Sequence, residues 1–456
     1  MVRVRFAPSP TGHLHIGGAR SALFNWLFAR HHKGAYLLRI EDTDSERSEQ
    51  RYIDSIRESF AWLDIVPDES PVIQSSRRSE HQAVIERMLH EGTAYRCYCS
   101  TEELEKARAH EESLGSYFKY PGICRTVGNL GSVETPYVVR FKIPDTIDSI
   151  SWQDIILGET RFEREQLDDF VIARSDGSPM YNFVVVVDDA FMGITHVIRA
   201  QEHVINTPRQ ILLYKALGYT VPQFAHVPLI LGASGQKLSK RDAAVSVLEY
   251  RAQGFLPNAL CNYLVRLGWA YKDQEIFTRD EMVSLFDLAA VGKNGAMFDT
   301  TKLLWVNSVY MRALSGSALG VAIDNNLRTT RYAELCAQFS ELTINSLCEL
   351  YKMRTQTLVE LLEAIEYILR DPVPPLLTEV EQSLARDILV QCDGPWDHGT
   401  LKVGLQKIGA MGVVGPVMRK IITGELASPG VIDLMVALGR SCVVGRIEAA
   451  LKANSR

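Results

Sequence analysis

Apolar residues alternate with polar ones at Val2, Val4 and Phe6, which predicts a strand over 2–7. The spacing then changes: Ala19, Ala22, Leu23, Trp26 and Leu27 recur at helical intervals and predict a helix over 18–31. The unbroken apolar run Ala35–Ile40 reads as a buried parallel strand, followed by a helical stretch over 48–62 and a turn from Pro67 to Pro71. Ser79-Glu80-His81-Gln82 has the form of a capping box opening a helix that Gly92 ends. Strand–helix–strand order implies a parallel sheet with right-handed crossovers, and such sheets bind ligands at the carboxyl ends of their strands.

Beyond residue 96 the apolar runs shorten. Tyr137–Lys142 and Asp169–Ala173 predict short strands, with Asp176-Gly177 as a hairpin-type turn before Tyr181. Val184–Val187 predicts a buried strand and Thr195–Arg199 another; Thr207-Pro208 opens a helix that Gly218 ends, and Phe224–Leu231 predicts a further strand. From about 245 the pattern is helical, with a Thr278-x-x-Glu281 capping box and the run Leu303, Leu304, Val306. Beyond about 315 strand signals vanish. Leu358, Leu361, Leu362, Ile365 and Ile368, then Ile432, Leu434, Met435 and Leu438, keep helical spacing, with Pro372-Val373-Pro374-Pro375 as a linker.

Composition adds bounds. A chain of 456 residues forms several domains, and 46% hydrophobic with 23% charged residues is an ordinary globular balance. The net charge of −6 decides little, because phosphate binding depends on local basic patches. No apolar run reaches the ~18 residues of a membrane span, and Met1-Val2-Arg3-Val4 reads as a strand rather than a leader. A cytosolic protein is expected, its eight cysteines being thiols or metal ligands rather than disulfides.

Two stretches carry chemistry. Ala7-Pro8-Ser9-Pro10-Thr11-Gly12-His13-Leu14-His15-Ile16-Gly17-Gly18 joins the first strand to the first helix. Unpaired N–H groups at such a helix start make an anion seat, His13 and His15 bring imidazoles, and Gly17 and Gly18 admit close approach. Far downstream, Gly232-Ala233-Ser234-Gly235-Gln236-Lys237-Leu238-Ser239-Lys240-Arg241 places three cations within five residues. Alone, each reads equally as a solvated turn. As a pair they resemble the signatures of class I aminoacyl-tRNA synthetases. Arg5-Phe6-Ala7-Pro8-Ser9-Pro10-Thr11-Gly12 and Ile40-Glu41-Asp42-Thr43-Asp44 narrow the resemblance to the glutamyl/glutaminyl branch. Glutaminyl enzymes carry β-barrel anticodon domains and the short tRNA-modifying paralogue lacks a tail. The helical tail here resembles bacterial-type glutamyl enzymes, over essentially the whole chain.

The resemblance implies an α/β fold: a Rossmann-like parallel sheet split by a mixed α/β insertion and followed by an all-helical anticodon-binding region. It divides the chain into 1–95 and 184–241 (the two catalytic halves), 96–183 (an insertion holding the tRNA acceptor end), 242–315 (a helical stem-contact domain), and 316–374 and 375–456 (two anticodon-binding subdomains). It implies ATP with Mg2+, L-glutamate and tRNA(Glu) as partners, with tRNA(Gln) as an alternative or additional tRNA, no DNA, no membrane, and a monomer.

Activation is in-line attack of a carboxylate on the α-phosphate of ATP, which needs no protein nucleophile, only positioning and stabilisation of spreading negative charge. By resemblance, His13, His15, Lys237 and Lys240 do this. His15, Gly17, Gly18, Lys237, Leu238, Ser239, Lys240 and Arg241 bind the nucleotide. Glutamate carries two carboxylates and an ammonium, a pattern that two guanidiniums and a carboxylate complement. Arg5 and Arg199 with Glu41 lie at predicted strand ends; by resemblance Arg5, Ala7, Ser9, Glu41, Tyr181 and Arg199 line the pocket. After Arg199 the family shows a small residue and two acids; Gln201 stands for the first acid here, leaving Glu202. In the tail, Arg354 and Arg419 fall in segments that resemble anticodon-contacting ones, though a basic helix face reads equally well. Cys97, Cys99, Tyr120 and Cys124 resemble a zinc site of some bacterial relatives; three thiolates and a fourth ligand suit tetrahedral zinc, and three reduced thiols are the other reading.

Two rivals fit less. A small-molecule adenylyltransferase with a two-histidine turn is much shorter and has no helical tail. An inactive tRNA-binding paralogue would have lost a histidine or a signature lysine, and all four are present.

Overall fold

The computed structural model describes residues 1–43, 48–113, 115, 118–127, 135–238, 246–327, 330–391 and 394–454. The chain divides into two compact units, 1–247 with 261–298, and 248–260 with 299–456.

In the first unit, β1 (Arg3–Phe6), α1 (Ile16–His31), β2 (Ala35–Ile40), α2 (Gln50–Leu63) and β3 (Val72–Ile73) alternate as the hydrophobic pattern predicts. The three strands form a parallel sheet in the order β1-β2-β3, with Val4 opposite Tyr36. α3 (Arg78–Glu91) ends at Gly92, whose φ of 73° is the left-handed cap conformation that glycine adopts without strain. The Ser79 capping box does not form. The helix begins one residue earlier, behind a 3-10 turn, and the Ser79 hydroxyl donates to Glu80 instead.

There follow β4 (Ala94–Cys97), α4 (Thr101–Ser113), α5 (Ile123–Val127), β5 (Val138–Phe141), β6 (Ser149–Asp154), β7 (Gly158–Glu163) and β8 (Val171–Ala173). β4, β5 and β8 make an antiparallel sheet. α6 (Tyr181–Phe191), β9 (His196–Ala200), α7 (Thr207–Ala216) and β10 (Gln223–Val227) resume the parallel pattern. The second large sheet runs β7-β6-β10-β9, with β9 and β6 parallel to β10 and β7 antiparallel to β6. Thr195 N–H donates to the Arg3 carbonyl (2.9 Å), bringing β9 alongside β1.

Val184–Val187, predicted as a strand, lies inside α6. All four valines are buried, Val184, Val186 and Val187 in one core with Phe141, Leu213 and Phe224, and a helix apolar all round has no period that separates it from a buried strand. The strand predicted over 224–231 breaks at Pro228, which lacks a ladder donor, and resumes as β11 (Ile230–Leu231). α8 (Val247–Ala252) and α9 (Pro257–Arg266) lead to α10 (Arg279–Leu285), which opens on the predicted Thr278/Glu281 capping box, and to β12 (Ala296–Met297), parallel to β11. Two side chains of α1 lock it to this framework: Asn25 donates to the Ile198 carbonyl (3.1 Å), and the buried Arg20 to the carbonyls of Leu267 and Pro228.

The second unit is helical, as predicted: α11 (Thr300–Ala313), α12 (Gly316–Leu327), α13 (Thr330–Gln338), α14 (Glu341–Tyr351), α15 (Leu358–Leu369), α16 (Glu379–Gln391), α17 (His398–Ile408), α18 (Met411–Thr423), α19 (Val431–Leu438) and α20 (Arg440–Ala453). The apolar stripe of α15 is buried against α12 and α14. Buried Arg446 donates to the carbonyls of Ile368 (3.0 Å), Arg370 (2.9 Å) and Ile422 (2.7 Å), satisfying the orphan carbonyls that end α15 and α18.

Candidate active site

The histidine turn is fixed to the end of β2 by Glu41 N–H donating to the Pro8 carbonyl (3.0 Å), with Ala7 half-buried and Ser9 exposed beside it. His15 is the N-cap of α1, and its Nδ1 accepts from Gly18 N–H (3.3 Å). A Cβ at Gly17 would meet the His15 ring at 3.0 Å, so this glycine makes room for the cap itself. The His15 ring reaches solvent, yet the atoms crowded around it and the Lys237 ammonium push its pKa below the ordinary histidine value. A neutral imidazole accepting at Nδ1 carries its proton on Nε2, an uncharged donor at a helix N-terminus. His13 points elsewhere, to Ser55 Oγ (2.9 Å) and edge-on to Tyr52 of α2.

The basic stretch begins in a tight hairpin, where Gly232 N–H donates to the Gln236 carbonyl (2.9 Å) and Gly235 has a φ of 73°. Leu238 N–H then donates to the Ile230 carbonyl (2.9 Å), and Lys237 pairs with Glu202. Burial would raise the Glu202 pKa, but the Lys237 ammonium outweighs it and holds the carboxylate below its usual range. Ser239, Lys240 and Arg241 lie outside the described residues, as do Asp44 and Cys392. On their far side Ser246 pairs with His15, and Val247 N–H donates to the Leu14 carbonyl (2.8 Å).

Beside the histidine turn lies a buried charge network. Arg5, near the end of β1, donates through Nε to Asp189 (3.0 Å); Arg39, inside β2, donates to the same oxygen (2.5 Å) and to Glu41 (2.9 Å). Burial opposes ionisation of Asp189, but the two guanidiniums outweigh it and hold the carboxylate below its usual range. For Glu41 burial prevails over Arg39 and Arg5, and its pKa is raised. Arg199 of β9 differs. It donates to His226 Nε2 (3.1 Å), Gln210 Oε1 (2.8 Å), Thr207 Oγ1 (2.8 Å) and the His203 carbonyl (3.3 Å), all neutral acceptors. No carboxylate among the described residues pairs with it directly, although it is 7% exposed. Tyr181 opens α6 with part of its ring exposed; its hydroxyl pKa is raised by burial and then by Glu41, and opposed by Arg199 and Arg5. Arg5, Glu41, Tyr181 and Arg199 thus act on one another electrostatically, with Arg5, Glu41 and Arg199 near the carboxyl ends of β1, β2 and β9.

Sequence patterning missed Arg39 and Asp189, and named Glu202 only as the acid remaining beside Gln201. The signal for the first two was a charge inside an apolar run: Arg39 within Ala35–Ile40 and Asp189 after four valines. Gln201 opens the 3-10 turn Gln201–Asn206 that presents Glu202.

The model of the class I tRNA synthetases (E and Q), catalytic domain, matches residues 1–305, and an anticodon binding domain model matches 330–451. The chain belongs to the glutamyl-tRNA synthetase family. Its relatives include the glutamate–tRNA ligase of Geobacter sulfurreducens, 43% identical over 99% of this chain and 98% of the relative. A glutamate–tRNA ligase 1 of Acidithiobacillus ferrooxidans is 44% identical over 98% and 99%. The crystal structure of a glutamate tRNA ligase from Elizabethkingia meningosepticum in complex with its amino acid is 33% identical, with a TM-score of 0.85 over 99% of both chains. The glutamyl-tRNA synthetase fold, a Rossmann-like sheet with a mixed insertion and a helical C-terminal region, is the one described above. No helix among the described residues is long and apolar enough to cross a membrane.

Two further groups of this family member are drawn together. Cys97, Cys99 and Cys124 hold their sulfurs within 4.8 Å of one another, and Tyr120 Oη lies 3.3 Å from Cys97 Sγ and 3.8 Å from Cys99 Sγ. In the second unit, Arg354 donates to the Ser428 carbonyl (3.2 Å) and Arg419 to Ser428 Oγ (2.8 Å), so the two tail arginines flank one loop.

Proposed function

We propose that this chain is a glutamate–tRNA ligase that activates L-glutamate with ATP and Mg2+ and transfers it to the 3′-terminal adenosine of tRNA(Glu). The observation that carries the reading is the buried Arg199, whose guanidinium meets only neutral acceptors, beside the Arg5–Asp189–Arg39–Glu41 network. A ligand carboxylate completes Arg199 by a bidentate, charge-assisted pair, and Glu41 suits the ligand ammonium. The second carboxylate then sits toward the histidine turn. There the neutral His15 Nε2–H and the N–H groups starting α1 stabilise the charge that spreads over the phosphates. Lys237, exchanging Glu202 for phosphate, supplies the cation opposite, and by family resemblance Lys240 supplies the next. His13, turned to α2, supports the turn in this state. The reading places the enzyme in the cytosol as a monomer and divides it at the boundaries given by the resemblance.

Charging of purified glutamate and glutamine tRNAs is the test. Glutamylation of tRNA(Glu) is expected, with glutamate-dependent pyrophosphate exchange appearing only when tRNA is added. Charging of neither tRNA would overturn the reading, and charging of tRNA(Gln) alone would reassign the substrate.

The thiol cluster supports a structural zinc. A Zn–S bond of about 2.3 Å gives tetrahedral edges of about 3.8 Å, and Cys99 Sγ and Cys124 Sγ are 3.7 Å apart. Bound there, zinc would clamp the end of β4 to the first turn of α5 and the segment before it, held by Cys97, Cys99, Cys124 and Tyr120. Close to one zinc per chain is expected by elemental analysis; under about 0.2 per chain would leave three reduced thiols.

Arg354 and Arg419 suit the anticodon. Arg354→Ala is expected to lower discrimination between cognate and non-cognate tRNA about 5- to 150-fold, or roughly 1–3 kcal/mol for one base contact, while tRNA-dependent exchange at saturating tRNA persists. Unchanged discrimination would return Arg354 to a basic helix face.

A further inference from the structure

Behind Arg199 lies a chain of buried polar groups that touches none of the pocket residues directly except this arginine. His226 of β10 is 0% exposed and stacks over Phe224. Its Nε2 faces Arg199 Nε at 3.1 Å and Thr207 Oγ1 at 3.2 Å; its Nδ1 faces Asp154 Oδ2 at 2.5 Å. Asp154 ends β6, is 1% exposed, and accepts through Oδ1 from the N–H groups of Ile156 (3.1 Å), Leu157 (3.0 Å) and His226 (3.2 Å).

These contacts determine where the imidazole proton sits. A guanidinium only donates, so Nε2 must accept, and the single proton of neutral His226 belongs on Nδ1, donated to Asp154. Thr207 fits the same arrangement, accepting from Arg199 and donating to Nε2. Burial and then the Arg199 charge lower the His226 pKa, opposed by Asp154, while burial of Asp154 is outweighed by His226 and the Leu157 N–H, which keep it ionised. The other tautomer would set N–H against N–H and push the guanidinium out of its plane. A rigid Arg is what bidentate carboxylate recognition requires.

We propose that Asp154 and His226 are positioning residues of the amino-acid pocket, holding His226 as the Nδ1–H tautomer so that Arg199 presents a fixed fork to a ligand carboxylate. This rests on the reading of Arg199 as a glutamate contact. Partners one step behind a functional group typically contribute 10- to 100-fold. The tautomer lock further explains why a β6 residue, far from the signatures in sequence, is fully buried and ionised next to β10.

The experiment measures aminoacylation with purified tRNA(Glu). Asp154→Asn and His226→Leu are expected to raise the KM for glutamate about 10- to 100-fold, with kcat and the KM for ATP within about threefold. His226→Gln, which keeps an acceptor for Arg199, is expected to stay nearer the parent enzyme. Arg199→Lys separates the two claims: if it leaves the glutamate KM unchanged, the pocket reading fails. If it raises that KM while the Asp154 and His226 variants do not, the positioning proposal alone fails. A parallel loss of kcat and rise of both KM values with a lowered melting temperature would mark a merely structural role and also overturn it. In the unsubstituted enzyme, nitrogen-15 NMR of the His226 ring is expected to report protonation at Nδ1; protonation at Nε2 would overturn the proposal however the variants fold.

Discussion

Arg199→Ala is expected to lower kcat/KM for glutamate by about 2–5 kcal/mol, roughly 30- to 5000-fold, the usual effect of truncating one partner of a buried, hydrogen-bonded charge pair. The loss should fall on glutamate and leave the KM for ATP little changed, because the Arg199 guanidinium turns to His226, Gln210 and Thr207 and bonds neither His15 nor Lys237. Arg199 is buried and its neighbours His226, Gln210 and Thr207 are neutral, so no anionic side chain among the described residues pairs with it directly. The comparison to make is steady-state charging of tRNA(Glu) at varied glutamate. A change under about threefold would remove Arg199 from the pocket.

The second large effect concerns stability. Asp189 joins Arg5 and Arg39, and all three are almost fully buried. Asp189→Asn keeps the shape but leaves two buried guanidiniums without their shared anion, which is expected to destabilise the sheet-containing unit by about 3–5 kcal/mol. The folded pKa of Asp189 is depressed, so its contribution is fully present above the unfolded value of about 3.9 and is lost as pH falls through the lower folded value. Urea unfolding of both proteins from pH 7 to pH 3 should show a constant gap down to about pH 5, narrowing only below about pH 4. A gap under about 1 kcal/mol at pH 7 would sink the argument.

The order of strands and helices was legible wherever burial was one-sided. Val2, Val4 and Phe6 alternate because the other face of β1 carries Arg3 and the buried, charge-paired Arg5, and the α15 leucines and isoleucines fall on one stripe because its other face meets solvent. Legibility failed where burial is complete. Val184–Val187 reads as a strand because a helix buried on every side carries no period. Site residues followed the same division. His15, Glu41 and Arg199 were candidates because they cap a readable helix or close readable strands, within stretches that resemble a family's signatures. Arg39, Asp189, Asp154 and His226 were not, since their roles come from tertiary pairing across 150 residues for Arg39–Asp189 and 72 for Asp154–His226. A charged side chain inside an apolar run was the available signal, and it says that a partner exists without saying which.

α6 is fastened by two adjacent acids that point different ways. Asp188 accepts from Gln74, Arg77 and His81, each at 2.8 Å, while Asp189 accepts from Arg5 and Arg39 on the strands. Neighbouring residues on a helix project about 100° apart, so the two sets of bonds together forbid the helix to rotate or slide. Tyr181, two turns earlier, inherits its direction from them. Deleting or inserting a single residue between Tyr181 and Asp189 would swing the tyrosine by about 100° and move it by about 1.5 Å, while both acids kept their partners. The length of this stretch is therefore set by the geometry of its two ends, and homologous chains should accommodate gaps instead in the largely exposed turn that Arg174 and Ser178 close just upstream.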